Sequence, residues 1–198
     1  MVTTETNFQH AVERHSIDPN KLRVVPNYVD VSLFSPAPGD SKTNATPTLL
    51  FVGRLSPKKN IDALLNALAF LKTRASLVPK LTIIGNGRLR QALIAKAHKL
   101  ALPVSFLGNL PNDRLPGEFR KADIFILPSL YEGHPKALLE AMSCGLPCIG
   151  SDVEGIRQVL KHRVTGYLCQ TSPESIADAI ETVLDDMLLQ TQLGKNAR

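Results

Sequence analysis

The chain alternates between short apolar runs and stretches in which apolar residues recur every three or four positions. Thr48 to Val52 (TLLFV) is a continuous apolar run ended by Gly53, the pattern of a strand buried on both faces. Ile61, Leu64, Leu65, Leu68 and Leu71 then follow at helical spacing. The alternation continues. Leu81 to Ile84 precedes the helical positions Leu89, Leu93, Ala97 and Leu100, and Val104 to Leu107 precedes a short helix over Asp113 to Lys121. Ile124 to Leu127 leads to a helix over Pro135 to Cys144, and Pro147 to Gly150 to a short helix over Glu154 to Leu160. Tyr167 to Cys169 is the sixth strand. A closing helix runs over Pro173 to Leu189, with Ser172 as its N-cap and Pro173 in its first turn. Strands alternating with helices predict β-α-β units and hence an α/β domain with a doubly wound, Rossmann-like parallel sheet. Ligands of such sheets sit outside the carboxyl ends of the strands. The chemistry is therefore expected in Gly53-Arg54, Gly85 to Arg88, Gly108 to Leu110, Pro128 to Lys136 and Gly150 to Glu154.

The first part of the chain follows another pattern. Ser35 to Pro47 (SPAPGDSKTNATP) reads as a linker. Before it, Thr4 to His15 supports at most a short polar helix, and Leu22 to Val25 a single strand ahead of Pro26-Asn27. So little structure does not make a domain. Residues 1–40 are expected to be the trailing segment of an N-terminal domain missing from the chain, plus an interdomain linker; a packed N-terminal extension is the alternative. Asn44-Ala45-Thr46 fits a glycosylation acceptor and, with no secretory signal visible over the polar stretch Met1 to Gln9, is read as chance.

Composition narrows the function. The 198 residues are 43% hydrophobic and 21% charged, which excludes a disordered or collagen-like chain. Twenty-three basic against 18 acidic side chains give +5, a mild excess that suits a partner carrying phosphates. It is too small and too dispersed for nucleic acid, and the absence of Trp with 5% aromatics argues against base stacking. No apolar run approaches the roughly 20 residues that span a bilayer. Three cysteines without a C-x-x-C pair speak against a disulfide framework or a zinc site, so a cytoplasmic location is expected.

Four local patterns bear on chemistry. Gly85-Asn86-Gly87-Arg88-Leu89-Arg90 has two of the three glycines of a dinucleotide fingerprint. It lacks the acidic residue about 20 positions on, so a tight strand-to-helix turn is the better reading. Arg54, Lys58 and Lys59 follow the first strand, either to hold a diphosphate or as a solvated helix start. Glu132-Gly133-His134-Pro135-Lys136 runs into a helix whose free amides suit an anion, with Gly133 permitting an unusual backbone angle and Pro135 suiting a first turn. Glu140 lies further along that helix, so two carboxylates near the strand ends are available to sugar or ribose hydroxyls. The local alternatives are an ion pair of Glu140 with Lys136, a solvated Glu132 and a plain loop histidine at His134. Cys144 and Cys148 read as small core residues, and the histidines show no metal-ligand spacing.

Taken in order, Phe51 through Lys59, Leu81 to Arg88, Pro128 through Met142, and Gly145-Leu146-Pro147 resemble the C-terminal half of the retaining glycosyltransferases known as family 4 or group 1. Val25-Pro26-Asn27-Tyr28-Val29-Asp30 through Pro36 resembles that family's interdomain segment. The resemblance implies one Rossmann-like half of a GT-B enzyme, with residues 41–198 as the donor-binding domain for a nucleoside-diphosphate sugar. It implies Arg54 and Lys59 on the donor diphosphate, Glu132 near the donor sugar, Glu140 on the ribose, and Gly53, Gly133, His134, Pro135 and Lys136 in the donor site. It also implies sugar transfer with retained configuration, no metal and no cofactor, and an acceptor (lipid, glycan or small molecule) bound by the missing N-terminal domain. Membrane contact is expected only through that half, peripherally, and the chain alone is expected to be inactive. A non-catalytic nucleotide-sugar binding module is the alternative. Asn60 and Tyr28 stand where the family often has Gly.

Overall fold

The computed structural model describes residues 1–36, 46–74 and 78–198. Most of the expected linker, the expected boundary after residue 40, and Asn44 and Ala45 of the glycosylation-like triplet lie outside the described residues.

The strands are β1 (Thr48–Val52), β2 (Lys80–Ile84), β3 (Val104–Gly108), β4 (Ile124–Leu127), β5 (Cys148–Ser151) and β6 (Tyr167–Cys169). They form one sheet in the order β3-β2-β1-β4-β5-β6, with every pair parallel. The chain winds outward from β1 through β2 to β3, returns to the other side of β1, and winds outward again from β4 to β6. Winding direction therefore reverses between β1 and β4, and a crevice opens there at the carboxyl ends of the two strands. All four residues of β4 and of β5 are buried, as expected for parallel strands covered on both faces. At the β3 edge burial alternates instead, and Leu107 is exposed.

The helices are α1 (Glu5–His15), α2 (Ile61–Arg74), α3 (Arg90–Lys99), α4 (Leu115–Lys121), α5 (Lys136–Ser143), α6 (Glu154–Arg157), α7 (Pro173–Asp185) and α8 (Met187–Ala197). Each predicted strand-helix pair is present. One expectation is corrected at the end: the helix over Pro173 to Leu189 is two helices. Asp186 leaves helical geometry, and its carboxylate accepts from the Leu189 amide at 2.8 Å, capping a new helix. Ser172 caps α7 as expected, accepting from the Ser175 amide.

A second correction falls in the N-terminal segment. Leu22 to Val25 does not form a strand; Val24 makes one parallel bridge to Val2, and Val24 and Val25 face solvent. With that single bridge and no sheet beside it, the segment has too few partners for a strand. The segment is nonetheless fastened to the sheet domain at its far end. Phe34 is buried edge-on against Phe119, the Arg120 guanidinium donates to the carbonyls of Leu33 and Ser35, and Ser143 Oγ donates to the Phe34 carbonyl at 2.6 Å.

Of the two departures from the family pattern, Asn60 takes the left-handed conformation at φ 56°, which asparagine tolerates better than most residues, and its side chain donates to the Thr171 carbonyl at 2.9 Å. Tyr28 lies outside that region, so no glycine is needed there.

Candidate functional site

The loop after β1, residues 53–60, forms one wall of the crevice. Its last turn runs over Pro57–Lys59 and ends at Asn60. The loop after β4, residues 128–135, forms the other wall. The Leu130 amide donates to the Lys58 carbonyl at 2.8 Å, so the walls are joined main chain to main chain. Ser56 Oγ, in the first wall, is buried without a hydrogen-bond partner among the described residues.

Between the walls sits Glu132, 8% exposed. Its Oε1 forms an ion pair with Lys59 Nζ and also accepts from Ser129 Oγ at 2.6 Å. Ser129 is wholly buried, and its carbonyl accepts from Ser151 Oγ at the end of β5. The Ser129 hydroxyl, on a main chain held in turn by Ser151, thus fixes the carboxylate together with Lys59, which is the condition for burying it. Arg54 and Lys58 are exposed, and neither side chain makes an ion pair among the described residues. Of the three cations of the first wall, one is therefore held by Glu132 and two face solvent.

Glu140 is 4% exposed within α5, and Lys136 Nζ lies 3.6 Å from its Oε1. The local ion pair is thus present. Burial nevertheless raises the carboxyl's pKa, because Lys136, itself half exposed, offsets only part of the lost hydration. No side chain caps α5, and the amides of Lys136 and Ala137 have no hydrogen-bond partner among the described residues. An uncapped helix start beside open cations is suited to an anion. Next to it, the Gly133 α-carbon faces the side-chain tips of Asn7 and Thr3, and His134 is held by Asn27.

The turn Gly85-Asn86-Gly87 does something else. Leu55 donates its amide to the Asn86 carbonyl at 2.9 Å, and Gly53 donates to the Ile84 carbonyl at 2.9 Å. A β-carbon on Gly85 would overlap the Gly53 carbonyl, and one on Gly87 the Leu55 backbone. The glycines are accounted for by packing on the first wall, in line with the turn reading. Cys144, Cys148 and Cys169 are buried, the first two as expected of small core residues. Burial pushes the Cys148 and Cys169 thiols up, the latter to about 12, so both stay protonated and unreactive. Among the described residues no cluster of three or more His, Cys, Asp or Glu could hold a metal ion, and no helix is long and apolar enough to cross a membrane.

The structure therefore brings Gly53, Arg54, Lys59, Glu132, Gly133, His134, Pro135, Lys136 and Glu140 to one end of the sheet, around β1, β4 and α5. The sequence model described as glycosyl transferases group 1 matches residues 39–198. The chain belongs to this family. Among its curated relatives, an Escherichia coli UDP-Gal:α-D-GlcNAc-diphosphoundecaprenol α-1,3-galactosyltransferase is 33% identical over 92% of this chain and 50% of its own length. The chain spans about half the length of the curated group 1 relatives it matches. Among solved structures, Anabaena Alr3699/HepE in complex with UDP and glucose superposes with a TM-score of 0.84 at 22% identity, over 99% of this chain and 56% of that one. The C-terminal domain of the group 1 protein LpcC from Francisella tularensis gives a TM-score of 0.73 at 20% identity, over 86% of this chain and 94% of that one. This group 1 chain thus has the Rossmann-like architecture of one half of a GT-B fold.

Sequence reasoning missed the support of this site. Ser129 and Asn27 enter the sequence reading only within longer strings, and Ser151 and Gly155 have no role in it. A β-carbon on Gly155 would overlap the carbonyls of Glu132 and Gly133, so that position permits α6 to approach the second wall. For Ser129 the available signal was a hydroxyl three positions before an acidic residue at the end of an all-apolar run. Asn27 stands in the segment that resembles the family's interdomain stretch, but its contact with His134, 107 positions away, shows only in three dimensions.

Proposed function

We propose that the chain is the donor-binding half of a retaining, metal-independent glycosyltransferase that takes its sugar from a nucleoside diphosphate. The observation that carries this reading is the meeting of Arg54 and Lys59 with two buried glutamates and an uncapped helix start where strand order reverses. Its support is twofold: the family match, and the complex of the Anabaena neighbour with UDP and glucose.

In this reading the donor's diphosphate lies against the first wall and the amino end of α5. Arg54 meets it with a fork of N–H donors, and Lys59 with a point charge. As the bond from sugar to phosphate breaks, charge grows on the departing oxygen. The two cations and the free amides stabilise that charge, a role worth on the order of 3 kcal/mol of barrier for one well-placed group. Glu140 accepts from ribose hydroxyls, and Glu132 faces the sugar. When the donor enters, Lys59 is shared between Glu132 and phosphate. Retention of configuration rests on the family likeness. Residues 1–40 trail from an N-terminal domain that binds the acceptor, and the chain alone binds donor without transferring it.

Calorimetry with UDP, UDP-glucose and UDP-galactose tests the reading. At least one is expected to bind, and Arg54→Ala to weaken it about thirtyfold, as loss of a charge-assisted contact would. Binding of none of the three, or binding indifferent to Arg54, would sink it.

A further inference from the structure

Asn27 belongs to the N-terminal segment, 107 positions before His134, yet it meets His134 twice. Its main-chain N–H donates to His134 Nδ1 at 3.1 Å, and its side-chain amide donates to the His134 carbonyl. An Nδ1 that accepts leaves the proton of the neutral ring on Nε2. That Nε2 has no hydrogen-bond partner among the described residues, and the same holds for the first amides of α5, two positions further on. A loop histidine without such contacts samples several rotamers and both tautomers. Here a residue remote in sequence removes that freedom beside Glu132.

The consequence is chemical. Glu132 offers carboxylate oxygens and so accepts from a hydroxyl, whereas an Nε2–H donates to an oxygen lone pair. An acceptor and a donor fixed on one turn can tell apart sugars whose hydroxyls differ in orientation, because the wrong epimer leaves one of the two unpaired. We propose that Asn27 is a positioning residue for sugar selection: it locks His134 as the Nε2–H tautomer and holds the 133–135 turn, so that the ring donates to the sugar end of the bound nucleotide. This rests on the donor reading of the site. It adds that the sugar is read partly by the N-terminal segment, through a residue that never touches it: its main chain sets the tautomer and its side chain holds the turn.

The tests use the 198-residue chain. Nitrogen-15 NMR of the imidazole rings, with the His134 signals identified by their loss in His134→Asn, is expected to show a protonated Nε2 and a bare Nδ1. Asn27→Pro, which removes the main-chain N–H on Nδ1, is expected to shift those signals toward a mixture of tautomers, whereas Asn27→Ala keeps that N–H and loosens only the turn. A protonated Nδ1 in the unaltered chain overturns the proposal whether or not nucleotides bind. Calorimetry then compares UDP with UDP-glucose and UDP-galactose. Asn27→Ala is expected to leave UDP affinity within about twofold and to reduce the preferred UDP-sugar's affinity about fivefold to tenfold, as one lost hydrogen bond would. His134→Asn keeps an acceptor near the Nδ1 position and removes the Nε2 donor, so it is expected to lose the same sugar-dependent part. Adding Asn27→Ala to it should cost nothing more. Equal losses for UDP and UDP-sugar, or a lowered melting temperature that accounts for both, mark a merely structural contact and refute the role. Binding of UDP with no sugar-dependent change in Asn27→Ala refutes it as well. Failure of the unaltered chain to bind UDP or either sugar nucleotide overturns the donor reading itself.

Discussion

After β2 the chain turns through Gly85-Asn86-Gly87, and after β4 it turns through Glu132-Gly133-His134; each turn carries a buried parallel strand into a helix. In the first turn the space that a side chain would fill is taken by backbone of the first wall, and Gly85 sits at φ +130°. In the second, Gly133 faces only the tips of two polar side chains, and the neighbouring amides of α5 are open. The difference follows from strand order. β2 lies between β1 and β3, so the β1 loop leans on its turn and closes it. The turn after β4 stands on the far side of the reversal point, where neighbouring loops diverge. A glycine between strand and helix is therefore a packing device at one place and, in our reading, part of a binding surface at the other.

The sharpest way to break this comparison is a β-carbon at each turn. Gly85→Ala is expected to cost at least about 4 kcal/mol of stability, since the new methyl meets a carbonyl that cannot move and the backbone angle is foreign to L-residues. Gly133→Ala should cost less than about 1 kcal/mol, because the nearest atom, Asn7 Nδ2 at 3.3 Å, ends a flexible side chain. Urea unfolding of both variants decides it. Similar losses would show that the second turn is packed like the first.

Within the open site the two cations should also part company. Lys59→Met leaves Glu132 buried with only Ser129 to hold its charge, and is expected to destabilise the chain by about 3 kcal/mol. Adding Glu132→Gln should recover most of that loss, since the uncompensated charge goes with it. Arg54→Ala should leave the unfolding curve unchanged, as Arg54 is exposed and without an ion pair among the described residues, while reducing nucleotide binding by about 2 kcal/mol. Chemical denaturation and calorimetry on the three variants separate the cases. An Arg54→Ala chain that unfolds as easily as Lys59→Met would mean that Arg54 carries structure.

These distinctions mark how far the sequence could be read. The strands and most helices were legible because apolar periodicity is a local signal. The open end of the sheet was legible because parallel β-α-β winding leaves few orders to choose from. Arg54, Lys59, Glu132 and Glu140 could be singled out by residue type and place. That Lys59 is held by Glu132 while Arg54 is open could not, since the two residues of the ion pair lie 73 positions apart. The end of the long C-terminal helix was misjudged because Asp186 reads as one more polar helix position until its side chain is seen capping α8. The strand expected at Leu22 to Val25 failed for a similar reason. Its residues suit a sheet, and the sheet they would join is not beside them.

The smallest effect expected, and the one that separates stability from function most cleanly, is at Glu140. Burial raises the pKa of its carboxyl in the folded chain above the ordinary 4.5, against the pull of Lys136. A raised value means that folding favours the protonated form. The carboxyl's contribution to stability is therefore full below its unfolded pKa and is lost as pH rises through the folded one. At neutral pH the buried charge is a cost, retained in our reading because ribose hydroxyls need an acceptor. Glu140→Gln keeps the size and removes the charge. It should raise stability at pH 7, by an amount that shrinks as pH falls toward 4.5, while weakening UDP binding about tenfold. Urea unfolding across that pH range, set beside calorimetry at pH 7, gives both signs. A variant that loses stability at neutral pH would show that the carboxylate is held by the fold rather than kept for a ligand.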